Sequence, residues 1–220
     1  MMKNKIDARR CLIACAAICC IGFGVAFNAM AQLGNDPVGI FYDGIRNALG
    51  LTRGQLGVAS NLVNLVLAVI LWFLGREYLN IGTLIYLIPY GTCVNIGSFF
   101  YTKIFVADAL WCRILASVAG CLLLYLGVAL YIAVNIGVDP MTGIALVIRD
   151  RLHWEFKKAK WLFDGIMMIA GFLLGGTLGV VTLLTVVSAG PVIQRITEWV
   201  KPFCQGRARV CVQEKTDFQN

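Results

Sequence analysis

The last apolar run of the chain is too long for one membrane-crossing helix. From Trp161 to Ile193 there are 33 residues, and Asp164 alone is charged. One helix of that length would measure about 50 Å, against roughly 30 Å of hydrocarbon, more than ordinary tilt absorbs. Gly175-Gly176-Thr177-Leu178-Gly179 lies near its middle, and clustered glycines favour a turn. The run therefore reads as two short helices, extended by the flanking Lys157–Lys160 and Gln194–Trp199. Four further runs, Cys11–Leu33, Leu56–Leu74, Thr83–Phe105 and Leu110–Ile136, each approach or exceed the roughly 20 residues that a span needs. The expectation is an all-α polytopic bundle of about six spans, or five if the last run crosses once. Composition excludes the alternatives. With 59% hydrophobic and 14% charged residues, the chain has too few charges to cover a soluble domain, and too much apolar surface to stay disordered.

The basic residues give an orientation. Six spans with both termini inside put 15 of the 19 Lys and Arg on the inner side, and leave Arg46, Arg53, Lys103 and Arg113 outside. That asymmetry follows the positive-inside rule, so both termini are expected on the cytoplasmic side. The net charge of +7 needs no nucleic acid, for which no reading motif is present. Lys3, Lys5, Arg9, Arg10, an apolar run and Ala29-Met30-Ala31 imitate a cleavable signal peptide. The repeat described next places this run within the fold, and an uncleaved first span is preferred.

Offsetting the chain by 103 residues pairs Gly24–Leu49 with Gly127–Leu152, with nine of 26 positions identical. Identities among small apolar residues carry little weight. The Gly-x-Asp-Pro blocks, Gly34–Pro37 and Gly137–Pro140, and the arginine nine residues after each proline, Arg46 and Arg149, carry more. The same register pairs Gln32 with Asn135 and Asn61 with Asp164. The units are then a basic N-terminus (1–10), a first repeat (11–107), a second (108–201) and a cytoplasmic tail (202–220). Three spans per copy invert the second copy relative to the first, an arrangement used by many secondary transporters. A duplication that built only a stable bundle is the alternative.

Each block breaks a helix and starts another. Gly34 and Gly137 suit a left-handed helix end, Asp36 and Asp139 suit an N-cap, and Pro37 and Pro140 suit a first helical residue. The short helices that follow either lie flat at the membrane surface or dip inward with their amide ends towards a ligand. In the first, Asp43, Arg46 and Asn47 form a polar face.

The paired Leu/Ile-Gly-x-Asp-Pro blocks, the Leu74–Leu84 stretch, Leu174–Gly176 and Ala189–Pro191 together resemble the YczE/YyaS/YitT family of bacterial membrane proteins, from about Gly22 to Val200. The order and duplication of these short motifs make the resemblance specific. It implies a polytopic inner-membrane protein and supplies no catalytic residues. The second half has Val181-Thr182 where the first has Gly82-Thr83, so that turn departs from the pattern.

Polar residues at membrane depth are expensive, and turn towards a bundle interior or water. Gln32, Asp36, Asn61, Asn135, Asp139 and Asp164 are the candidate solute-binding residues, with Arg46 and Arg149 as gates or charge partners. Asp164 stands four residues after Lys160, its alternative partner, and the Asn residues are equally suited to joining helices. Cys11, Cys15 and Cys19 recur every four residues, but there is no C-x-x-C pair, and His153 is the sole histidine. No metal, cofactor or catalytic activity is expected. The leading expectation is a transporter or exporter of a small solute, embedded in the lipid bilayer and possible as a homo-oligomer. The alternative is a non-transporting membrane scaffold; a sensor is weaker, for want of a large extramembrane domain.

Overall fold

The computed structural model describes residues 8–105 and 109–205. Lys3, Lys5, Cys211, the boundary at 107/108 and the tail from 206 onwards lie outside the described residues. Within them the chain is helical, without strands. Its α-helices are α1 (Ala8–Ala31), α2 (Pro37–Ala48), α3 (Leu56–Leu74), α4 (Ile81–Leu87), α5 (Tyr90–Ile104), α6 (Leu110–Val134), α7 (Pro140–Leu152), α8 (Phe156–Leu173) and α9 (Val180–Gln205). The final apolar run divides between α8 and α9, and Gly175 takes a φ of 85° in the turn.

Among the described residues, five segments are long and apolar enough to cross a membrane: Ala8–Ala31, Arg53–Leu74, Ile81–Ile104, Leu110–Val134 and Val180–Cys204. The sixth expected crossing, α8, has 18 residues and carries Lys157, Lys158, Lys160 and Asp164. It carries more charged residues than any of the other five. The third segment is not continuous. It divides at Ile88-Pro89, because proline lacks the N–H that would continue the helix.

Both Asp-Pro blocks break the chain as their chemistry demands. α2 starts at Pro37 behind Asp36 (φ −64°, ψ 160°), and α7 at Pro140 behind Asp139 (φ −70°, ψ 158°). The helices before them stop earlier than the glycines. Gln32 (φ 55°) and Asn135 (φ 51°) take the first left-handed turn, and Gly34 (φ 105°) and Gly137 (φ 155°) the second. The departure at Val181-Thr182 also resolves. The Thr83 hydroxyl accepts from Asn80 N at 3.2 Å and the Thr182 hydroxyl from Gly179 N at 3.3 Å, so each threonine caps its own helix start.

α1 and α6 run antiparallel along each other and form the centre of the bundle. Their backbones touch where side chains are missing. A Cβ on Gly24 would meet Leu124 N at 2.6 Å, and one on its repeat counterpart Gly127 would meet Ala17 O at 2.7 Å. Around this pair, α1 packs on α5 and α6 on α9, α2 on α3 and α7 on α8, α2 on α8 and α7 on α3. α8 and α9, although consecutive, barely touch.

Arg113, at the start of α6, closes the end of α1. Its Nε donates to Ala31 O at 2.7 Å and its Nη2 to Gln32 O at 3.1 Å, satisfying carbonyls that a helix end leaves open. Arg10, 103 residues earlier, is buried at 4% exposure. Arg113→Ala is expected to cost about 1.5–3 kcal/mol, the range for charge-assisted hydrogen bonds, read as a lower thermal midpoint in detergent.

Candidate functional site

A cavity of about 560 Å³ lies between the two Asp-Pro blocks. Asp36, Pro37 and Tyr42 reach it from the first half, and Asp139, Met141 and Thr142 from the second. α1 and α6 supply one apolar wall, including Val25, Leu124 and Val128; α8 and α9 supply the other, including Met168 and Ile193. The cavity occupies the gap that α8 and α9 leave by not packing together. Gly165 and Gly190 line it, and a Cβ added to either would meet nothing within 4 Å. Its size is ordinary for a small-molecule site.

The two blocks offer their carboxylates differently. Asp139 Oδ2 accepts from Thr142 N at 3.0 Å, the usual N-cap bond. Asp36 makes no such bond, and its Oδ1 is buried without a hydrogen-bond partner among the described residues. Instead Asn35 fastens this turn, accepting from Asp36 N at 2.9 Å and donating to Val25 O at 3.2 Å. Neither Asp36 nor Asp139 has an ion-pair partner among the described residues, whereas Lys160 Nζ is bound by the carboxylate of Asp164.

Four tyrosines continue the lining. Tyr86 stacks on Tyr90 with ring centroids 4.8 Å apart, Tyr131 meets Tyr86 edge-on at 5.6 Å, and Tyr42 meets Tyr90 at 5.9 Å. The outer two are anchored by their hydroxyls: Tyr42 donates to Asn64 Oδ1 at 3.2 Å and Tyr131 to Gly82 O at 2.9 Å. Across the cavity the hydroxyls of Tyr125 and Ser188 are 2.8 Å apart, joining α6 to α9.

Of the residues expected at a site, Asp36, Asp139 and Asp164 line the cavity, and Gln32, Asn61, Asn135, Arg46 and Arg149 do not. Gln32 and Asn135 shape the backbone at the two breaks. Asn61 Oδ1 accepts from Gly91 N at 2.9 Å, and Asn95 Oδ1 from Gly57 N at 2.8 Å, so this pair clamps α3 to α5. Arg46 pairs with Asp43 at 2.8 Å and donates to Leu51 O, also at 2.8 Å. The polar face of α2 proves to be an internal joint. Asp43 Oδ2 accepts from Thr177 N and Thr177 Oγ1, each at 2.9 Å, and Asn47 Nδ2 donates to Gly175 O at 3.4 Å. Arg149 is half-buried, pairs with Asp150 at 2.6 Å and donates to the Tyr78 hydroxyl at 3.3 Å. Arg149 and Tyr78 together hold the Asp150 carboxyl below the ordinary carboxylate range.

The sequence reading missed the tyrosine array. Its signal is tyrosine in the interior of apolar runs and just after a helix break, away from the membrane–water interface where this residue is usual.

Three curated relatives match, and none carries a named activity. An uncharacterized protein of Haemophilus influenzae is 28% identical over 179 residues, covering 81% of this chain and 78% of the relative. The Bacillus subtilis uncharacterized protein YyaS is 23% identical, covering 80% and 89%. The uncharacterized membrane protein YczE of the same organism is 21% identical, covering 81% of each. No solved structure matches. The family of unknown function DUF6198 matches residues 8–198, nearly all of the helical part, and the similarity to YyaS and YczE accords with the motif order. The chain is a helical membrane protein and belongs to the DUF6198 family, of YczE/YyaS type.

Proposed function

We propose that the protein is a secondary transporter of a small solute, working by rocking of two inverted repeats about the α1–α6 contact. The observation that carries this reading is the cavity between the two Asp-Pro blocks, with walls from both halves. Many transporters bind substrate at broken helices where inverted repeats meet. The matched backbone at the two breaks and the corresponding helix contacts support the repeat. The distribution of basic residues supports six crossings, with α8 as the fifth and both termini on the cytoplasmic side of a bacterial plasma membrane. Asp36, Asp139 and Asp164 are the polar solute contacts in this reading.

A second reading, a non-transporting scaffold, draws on the outer face of α9. Leu183 and Val187 are 71% and 76% exposed there, and such a face suits a partner helix as well as lipid.

Purified protein in liposomes, tested with a panel of cationic, anionic and neutral solutes, separates the two. Transport predicts saturable flux that falls at least about tenfold in Gly165→Phe, whose added ring enters open space and leaves thermal stability intact. It also predicts loss of flux in the double variant Asp36→Asn, Asp139→Asn. Absence of flux for every class of solute overturns the reading. A stable co-purifying partner, kept when Asp36 and Asp139 are replaced, would then establish the scaffold.

A further inference from the structure

We infer that the solute is a lipophilic organic cation, a quaternary or tertiary ammonium on an apolar body, held against the tyrosine array between Asp36 and Asp139. The assignment rests on the transport reading for the word solute, and on the cavity itself for the chemistry.

Charge comes first. Three carboxylates and one ammonium line the cavity, and that ammonium, Lys160, is already bound to Asp164. Asp36 and Asp139 remain without an ion-pair partner among the described residues, and one oxygen of Asp36 is buried with no hydrogen bond. A carboxylate left ionised without a counter-charge in a mainly apolar cavity is costly, and either a proton or a cationic ligand removes that cost.

Shape and surface then choose among cations. No three acidic, His or Cys side chains among the described residues converge closely enough to hold a metal ion. The rest of the wall is dominated by aliphatic and aromatic groups. A bare ion would lose its hydration shell there without replacement ligands. An alkylated ammonium, weakly hydrated and large, would not.

The tyrosines supply the recognition. Tyr42, Tyr86, Tyr90 and Tyr131 come from four helices, α2, α4, α5 and α6, and form one connected array with centroids 4.8–5.9 Å apart. Tyr42 and Tyr90 line the same cavity as Asp36 and Asp139. Aromatic faces beside carboxylates are the usual setting for quaternary ammonium groups. Because Tyr86 and Tyr90 stack on each other, the cation sits along the cavity side of the array rather than between those two rings.

The test is direct binding to the full-length protein in nanodiscs, with empty nanodiscs subtracted. The probes are phenyltrimethylammonium, its neutral isostere tert-butylbenzene, and benzenesulfonate. Saturable binding of the cation at least about tenfold tighter than of the isostere is expected, with no saturable binding of the sulfonate. Asp36→Asn and Asp139→Asn should each narrow the cation–isostere gap by about tenfold. Asparagine is itself a good N-cap, so the helix start survives the change. Tyr90→Leu should narrow the gap as well. Because the gap compares two ligands on one sample, partial misfolding does not imitate its loss. Equal affinity for cation and isostere, preference for the sulfonate, or no saturable cation binding overturns the assignment. Cation binding without flux of any solute overturns the transport reading and leaves the assignment standing. Flux of anionic or neutral solutes by a protein with no cation preference does the reverse.

Discussion

Asp43→Ala is expected to destabilise the protein by about 3–5 kcal/mol, the cost of removing one partner from a buried ion pair. The side chains of Arg46 and Asp43 are only 12% and 10% exposed, so water cannot replace the lost carboxylate at little cost. The same carboxylate receives two hydrogen bonds from Thr177, in the turn between α8 and α9. The substitution therefore strands a guanidinium in α2 and frees the turn that fixes how α8 leads into α9. At about 2–4 °C per kcal/mol for a chain of this size, the thermal midpoint should fall by about 6–20 °C. Asp150→Ala is the matched control. Its pair with Arg149 has side chains 36% and 46% exposed, and exposed pairs contribute about 0–1 kcal/mol. Equal, small losses in both variants would show that the joint between α2 and the 175–177 turn contributes no more than a surface contact. A milder loss in Asp43→Asn, which can still accept from Thr177, would separate the hydrogen bonds from the charge.

That joint also marks the boundary of what the sequence shows. The Asp-Pro helix starts are legible because their signals are local: a capping side chain and a residue with fixed φ sit at adjacent positions. Asp43, Arg46 and Asn47 fall on one face of α2 by helical period alone, but the period does not say whether water or protein covers that face. Here Gly175 and Thr177 cover it, more than 120 residues away in the chain. Asn61 and Asn95 show the same limit. Their type and depth mark them as satisfied polar groups, yet only the crossing of α3 and α5 decides that the partners are backbone amides and not a solute. Asp36 and Asp139 could be placed near a site because the duplication singles them out. The tyrosines could not, since the array joins four helices and no two of its members are repeat counterparts.

Gly57→Ala is expected to be the most damaging single-methyl change in the bundle. A Cβ there would lie 1.9 Å from Gly91 O and 2.5 Å from Asn95 Oδ1. The first of these is main chain in the opening turn of α5, so relief requires moving the helix. Moving it breaks two caps at once. The amides of Gly57 and Gly91 lie in first helical turns, where no intrahelical acceptor exists, and each is served by the other helix through Asn95 or Asn61. Overpacking costs about 1–3 kcal/mol and each orphaned buried amide about 1–3 kcal/mol more. The sum approaches the whole stability of an ordinary domain, so Gly57→Ala should yield little monodisperse protein after extraction. Gly54→Ala, three residues earlier with nothing within 4 Å of its added Cβ, should extract normally. Asn61→Ala should stand between them, losing about 1–2 kcal/mol as a missing cap while keeping the preference for a cationic over a neutral probe. If instead Asn61→Ala kept its thermal midpoint and lost that preference, Asn61 would belong with Asp36 and Asp139 at the cavity, and the α3–α5 clamp would have to rest on Asn95 and the glycine contact alone.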